Sequence, residues 1–209
     1  MYLSRVEIDI NNRRKVKDLT HMGAFHNWVE SSFPDEIEKR IRTRKLWRID
    51  KLNGREYLLI VSETKPSIEG LELYGLEGTA KTKAYDEFLN KIENGKSYRF
   101  RVVLNPVVAE MEGGSRGRTK PLPNSKHLQF LLDRSEKNGF SLNENEFCVV
   151  SRGNVSLKKE GVREVRLSRV CYEGRLKVTD KDILKESLIK GIGRKKAYGF
   201  GMMTLIPED

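Results

Sequence analysis

One order of periodicities occurs twice along this chain, and it limits the available folds more than any single motif does. The opening "YLSRVEIDI" alternates apolar and polar residues, as a strand with one buried face must. Residues 13 to 32 carry Leu19, Met22, Phe25 and Val29 at helical spacing, continued by Phe33, with Asn11 or Asn12 as N-cap and Pro34 as the stop. "RKLWRID" (44 to 50) and "EYLLIVSE" (56 to 63) form two strands joined through Asn53-Gly54, a pair that accepts the positive φ values of a two-residue hairpin turn. After the helical pattern "KAYDEFLNKIENG" the chain restarts near residue 97. A strand at 98 to 105 leads to a helix from Asn124 to about Asn138 closed by Gly139, then strands at 146 to 151 and 162 to 178. A helix capped by Asp180 ends at Gly191, and "FGMMTLI" is the closing strand.

The second half thus spells β-α-β-β-α-β, the ferredoxin-like order, and the first half supplies the same order without a clear fourth strand. The expected fold is α+β, with two tandem ferredoxin-like (βαββαβ, RRM-like) domains at residues 1–96 and 97–209. So common a fold leaves function to be argued from particular residues. Forty Lys and Arg against thirty Asp and Glu give a net charge of +10, which favours a polyanionic partner, nucleic acid ahead of a membrane surface. No apolar run approaches the ~20 residues needed to cross a bilayer, and the alternating start is no signal-peptide core, so the protein is expected in the cytoplasm. Cys148 and Cys171 both lie in strand-like apolar contexts and are expected in the core. Two cysteines without clustered histidines make neither a disulfide framework nor a zinc site, so no metal or cofactor is expected.

Four basic stretches and one histidine pair carry chemistry. "GIGRKKAYGFG" places Gly191, Gly193, Gly199 and Gly201 around Arg194, Lys195 and Lys196, and so resembles a phosphate cradle in which glycines admit an anion to the backbone amides. It lacks the spacing of a nucleotide-binding P-loop, and it also reads as a glycine-rich helix cap before an edge strand. "GGSRGRTKPLPNSK" carries Arg116, Arg118 and Lys120 with no acid, a basic loop able to close over an RNA backbone. The hairpin "NVSLKKEGVREVRLSR" turns at Lys159-Glu160-Gly161 and presents Lys158, Arg163 and Arg166 beside Glu160 and Glu164. In "YRFRVVLNP", Tyr98, Phe100 and Val102 pack one face while Arg99 and Arg101 point outward, where they meet either solvent or RNA phosphates. His21 and His26 sit on the first helix about 140° apart at 100° per residue, too far round to line one site.

Read together, "MYLSRVEI", a helix histidine followed after six residues by "FP", "YRFRVVLNP", "CYEGRLKV" and "GIGRKKAYGFGMMTL" closely resemble the CRISPR-associated endoribonucleases of type I-E systems, the CasE family. The resemblance spans nearly the whole chain. It implies a tandem ferredoxin-like protein that cleaves CRISPR repeat RNA beside a stem-loop without metal, stays bound to its product, and serves in the crRNA-guided surveillance complex Cascade. The family's catalytic histidine falls on His26, ahead of Phe33-Pro34, and the family's assisting tyrosine three residues earlier is Gly23 here. Attack by a ribose 2′-OH on the adjacent phosphate needs a base, an acid for the departing 5′-oxygen and cations for the developing charge, a role open to Lys195 or Lys196. One histidine in one protonation state performs only part of this. Two other readings remain open: a non-catalytic RNA-binding subunit of the same fold, and a chaperone-like protein without a defined RNA substrate.

Overall fold

The structure, a computed structural model, describes residues 1–110, 119–159 and 162–208. The chain begins with β1 (Tyr2–Glu7), α1 (Met22–Ser31) and α2 (Pro34–Glu38), followed by the hairpin β2 (Lys45–Leu52) and β3 (Arg55–Ser62). Short elements α3 (Ile68–Glu72), β4 (Lys81–Ala84) and α4 (Asp86–Asn90) complete the first half. The second half comprises β5 (Ser97–Leu104), β6 (Val107–Ala109), β7 (Thr119–Pro121), α5 (His127–Ser135), β8 (Phe140–Ser141), β9 (Phe147–Lys159), β10 (Val162–Val178), α6 (Lys181–Lys190) and β11 (Met203–Pro207). It is a mixed α+β fold with antiparallel sheets. Among the described residues no helix is long and apolar enough to cross a membrane.

The first sheet has the order β2-β3-β1-β4 and the second the order β11-β5-β10, with β9 and the short β8 on the far edge of β10. Asn53 and Gly54 take φ values of 51° and 77°, so the hairpin turn forms where the sequence places it. Alternation also holds, since Tyr98, Phe100 and Val102 are buried behind β5 while Arg99 is exposed. Asp180 accepts from the amides of Asp182 and Ile183 and starts α6, and Gly139 closes the α5 region in the left-handed conformation.

Three expectations need correction. The first helix starts at Met22, not near residue 13, because the Asn12 side chain accepts from the Lys15 amide and turns the chain locally, and His21 becomes the N-cap by accepting from the Ala24 amide at 3.2 Å. The fourth strand missing from the first half is Lys81–Ala84, residues that overlap the start of the expected helix. It pairs antiparallel with β1, and the hydroxyls of Ser4 and Thr82 meet across the pair at 2.9 Å. As an edge strand guarded by lysines it carries no apolar alternation for a periodicity analysis to find. Cys171 is buried as expected, whereas Cys148 is exposed because β9 turns that side chain outward.

Two apolar clusters hold the halves together. One joins Leu46 and Val61 of the first sheet to Phe100 and Met203 of the second and to Met202 just before β11. The other unites Trp28, Val29 and Trp47 with Val103, Leu157, Leu167 and Phe200. Through Leu157 and Leu167 the β9–β10 ribbon lays one apolar face against the first half, which brings the ribbon to the start of α1.

Candidate active site

α1 supplies the centre of the site. The ring of His26 is half-buried, its Nε2 lies 2.9 Å from Arg42 Nη2, and its Nδ1 lies 3.8 Å from Glu30 Oε1 one helical turn on. A guanidinium can only donate, so this contact leaves the lone pair on Nε2 and the proton on Nδ1, facing Glu30. His26 is therefore presented as a neutral imidazole with a basic nitrogen toward Arg42, which is 67% exposed and also reaches Glu30 at 3.3 Å. Glu30 is shared again, at 3.5 Å, with Lys45 of β2. Lys45 is buried and lies 2.7 Å from Glu36. Burial alone would raise the Glu36 carboxyl, but hydrogen bonds from Lys45, Thr43 and Thr64 outweigh it and hold the group at about 2.

The glycine-rich segment closes over this cluster. Gly191, Gly193, Gly199 and Gly201 all have positive φ, as does Lys195 at 62°. The base of the loop is stitched by the Ile192 amide to Gly201 O at 2.9 Å and the Gly201 amide to Val103 O at 2.8 Å. A Cβ at Gly201 would stand 2.4 Å from Ile192 O, and one at Gly199 would meet the Trp47 ring at 2.8 Å, so these two glycines serve close packing within the protein. Gly193 is different, because a Cβ there would meet only Leu104 at 3.8 Å. Trp47 Nε1 donates to Ala197 O at 3.1 Å and fixes the short 3-10 turn Lys196–Tyr198. That turn sets the Tyr198 ring edge-on to His26, with ring centres 5.4 Å apart.

Lys195 and Arg194 are exposed on the same loop. Lys196 turns back, donating to Lys190 O at 2.9 Å at the end of α6, and burial together with the neighbouring charges of Arg44 and Lys190 lowers its pKa. The β9–β10 ribbon arrives from the other side. Lys158 is exposed, and its carbonyl packs so closely on α1 that a Cβ at Gly23 would lie 2.7 Å from it. Arg166 is exposed on β10. Among the described residues no three His, Cys, Asp or Glu side chains gather in a group that could hold a metal ion.

A protein-family model described as CRISPR associated protein matches residues 1–207. The chain belongs to this family. It is 28% identical, over 99% of its length and 100% of the relative's, to a CRISPR-associated endoribonuclease Cse3 of Thermus thermophilus. Its fold is shared with a Cse3 endoribonuclease solved bound to a 19-nucleotide RNA, at 23% identity and a TM-score of 0.78, covering 99% of this chain and 98% of that one. A chain of a CRISPR RNA-guided surveillance complex in a pre-nicking state matches at 19% identity and a TM-score of 0.76, with both chains fully covered.

The remaining basic residues of this family member lie apart from His26 or outside the described residues. Arg99 and Arg101 line a groove on the opposite face of β2, with Arg48, Asp50, Glu173 and Arg175. Arg101 is held there by Glu173 at 2.7 Å and Asp50 at 3.4 Å. Lys120 on β7 is ion-paired with Glu110, so the loop read as free of acid meets one from β6's end. Arg116, Arg118 and the side chain of Arg163 lie outside the described residues. Sequence reading misses two groups of the site. Tyr198 sits within a motif whose signal is carried by glycine and lysine, and Arg42 belongs to the run "RIRTRK", where neighbouring cations mask it.

Proposed function

We propose that the protein is a metal-independent endoribonuclease, built on two ferredoxin-like units at 1–96 and 97–209, that binds the stem-loop of CRISPR repeat RNA and cleaves beside it. His26 Nε2 takes the proton of the 2′-OH, the 2′-oxygen attacks the adjacent phosphorus, and the products are a 2′,3′-cyclic phosphate and a 5′-OH strand. The protein then retains the crRNA as a Cascade subunit. The single observation that carries this reading is the acceptor state of His26 Nε2, set by Arg42 at 2.9 Å with Glu30 behind the other ring nitrogen. The endoribonuclease name of the relative at 28% identity points the same way.

In this reading Arg42 leaves Nε2 for the scissile phosphate when RNA arrives, and Lys195 and Lys196 add positive charge to the pentavalent centre. The loop around Gly191, Gly193, Arg194, Gly199 and Gly201 contacts the RNA backbone. Lys158, Arg163 and Arg166 on the ribbon, with Arg116, Arg118 and Lys120 on the basic loop, hold the stem by its phosphates. Arg99 and Arg101 join them where RNA crosses the groove.

A second reading, a non-catalytic RNA-binding subunit, is favoured by Lys196, whose ammonium faces the α6 carboxyl end instead of His26. Incubation of the protein with repeat RNA in EDTA separates the two. The nuclease gives one discrete cut, and a repeat carrying a 2′-deoxynucleotide at that position is left whole. Only a shifted band would establish the binding subunit, and a metal-dependent cut of the deoxy RNA would contradict the mechanism.

A further inference from the structure

Cleavage by 2′-OH attack leaves one proton unassigned, and its assignment rests on that reading of the function. The attacking hydroxyl loses a proton to His26, yet the departing 5′-oxygen must gain one in the same step. His26 starts neutral, so it cannot serve as donor until it has acted as base. The second group has to lie within reach of the same phosphate and be protonated at neutral pH.

Tyr198 brings a phenol hydroxyl, a proton donor, beside His26. Its ring stands edge-on to His26 at 5.4 Å between centres, with 61° between the ring planes. The backbone that carries it is pinned on every side. The Tyr198 amide donates to Lys195 O at 2.9 Å, Ala197 O accepts from Trp47 at 3.1 Å, and Gly199 packs where any Cβ would strike Trp47 and Met22. Lys195, a residue with a Cβ, is held at φ 62° to begin the turn.

Glu30 faces His26 Nδ1 from the following turn of the helix, and the approach from the preceding turn is closed. Residue 23 lies three before His26, where helical neighbours meet, but the Lys158 carbonyl and the His21 ring stand 2.7 Å and 2.9 Å from where its Cβ would be. The ribbon thus fills the space beside α1 with backbone, and the glycine-rich loop supplies an aromatic group from the opposite side.

We propose that Tyr198 is a catalytic residue, the general acid that protonates the leaving 5′-oxygen. The 2′-O–P bond forms as the 2′-OH proton passes to His26 Nε2. The P–O5′ bond breaks as the phenol proton passes to O5′. The resulting tyrosinate and imidazolium then exchange one proton, directly or through water, and both return to their starting state. No redox change or further reactant is needed.

The test is single-turnover cleavage with saturating full-length protein and two repeat RNAs, one natural and one with sulfur in place of the bridging 5′-oxygen at the cut. Tyr198→Phe keeps the ring against His26 and removes only the hydroxyl, and its thermal melt is expected to match the parent. On natural RNA the variant should cleave roughly 10²-fold more slowly with RNA affinity unchanged, as expected for loss of a positioned general acid. On the sulfur-containing RNA it should cleave within a few-fold of the parent, since a thiolate leaves without protonation. A parental rate on natural RNA overturns the proposal, and so does an equal loss on both RNAs, which would make the ring a positioning device. His26→Ala runs alongside. A parental rate for that variant refutes the nuclease assignment itself, an outcome distinct from either result at Tyr198.

Discussion

β2 builds a charged region on each of its faces, and the two differ in where their charge ends. On one face Arg48, only 1% exposed, donates to Asp50 through Nε and Nη2 at 2.7 and 2.6 Å, to the carbonyls of Arg101 and Met202, and to Thr204 Oγ1. All of its donating directions are answered inside the protein. On the other face Lys45, its side chain only 2% exposed, pairs with Glu36 and Glu30, and Glu30 passes the connection on to Arg42 and His26 at the surface. The Arg48 contacts are spent within the protein and join the halves, and its partner Asp50 continues to Arg101 and Glu173 in the groove. The Lys45 network opens onto solvent beside a basic nitrogen. Arginine content does not separate such regions, whereas the last partner in each chain of contacts does.

The Arg48 network should show itself in stability. Arg48→Ala leaves Asp50 and two carbonyls without their donor, and about 3 kcal/mol or more of unfolding free energy should disappear in urea denaturation, as when one partner of a buried ion pair is removed. A loss no greater than that of an exposed arginine would mean the network is not what joins the two sheets.

Next in size is an acid limb from the open region. The Glu36 carboxyl sits at about 2 in the folded protein against an ordinary 4.5. Its folded value is depressed, so its contribution is whole above pH ~4.5 and is lost as pH falls toward 2; the gap is worth roughly 3 kcal/mol. Urea midpoints measured between those limits should fall in the parent and fall less steeply in Glu36→Gln. Parallel curves would contradict the assignment.

Arg42→Ala sharpens the contrast from the other direction. The side chain is exposed, and its ion pair to Glu30 should contribute almost nothing to the melting temperature, but its loss removes a cation from beside His26. Single-turnover cleavage should fall about tenfold, a little over 1 kcal/mol of transition-state stabilisation. An unchanged rate would make Arg42 a surface partner only.

The smallest effect is electrostatic. Lys158→Ala combined with Arg166→Ala should lower the slope of log affinity against log salt by about 0.7 to 0.9 for each phosphate that is no longer neutralised. Arg101→Ala should lower it less, because two carboxylates, Asp50 and Glu173, already face that guanidinium, whereas Lys158 and Arg166 share one, Glu164, 3.8 Å from the Lys158 ammonium. Equal decrements would put RNA in the groove and erase the distinction between the two faces.

Much of this architecture is legible in the sequence. Alternation places Tyr98, Phe100 and Val102 inside, and Asn53-Gly54, Gly139 and Asp180 mark their turns and caps because each has a local backbone reason. β4 escapes because an exposed edge strand of Lys-Thr-Lys-Ala has no buried face to impose a pattern. Apolar spacing starts α1 too early because it runs across residues where an asparagine turn wins locally. Tyr198 and Arg42 are hidden for a different reason. Each meets His26 across intervening elements, and only the fold brings the glycine-rich loop and the segment after α2 to one imidazole. The glycines are legible as special, but at Gly199 and Gly201 the close approach is to Trp47 and Ile192.

The central claim is that His26 is the base of a nuclease, and one measurement bears on it most directly: single-turnover cleavage of the repeat RNA in EDTA by His26→Ala, with His21→Ala as the reference. His21 spends its Nδ1 on the Ala24 amide, so its loss should leave most of the activity and cost only some helix stability. His26→Ala should slow cleavage by roughly 10²- to 10⁴-fold while binding the stem-loop within a few-fold of the parent. A His26→Ala protein that cuts at the parental rate, or a ranking in which His21→Ala is the slower of the two, would contradict the account.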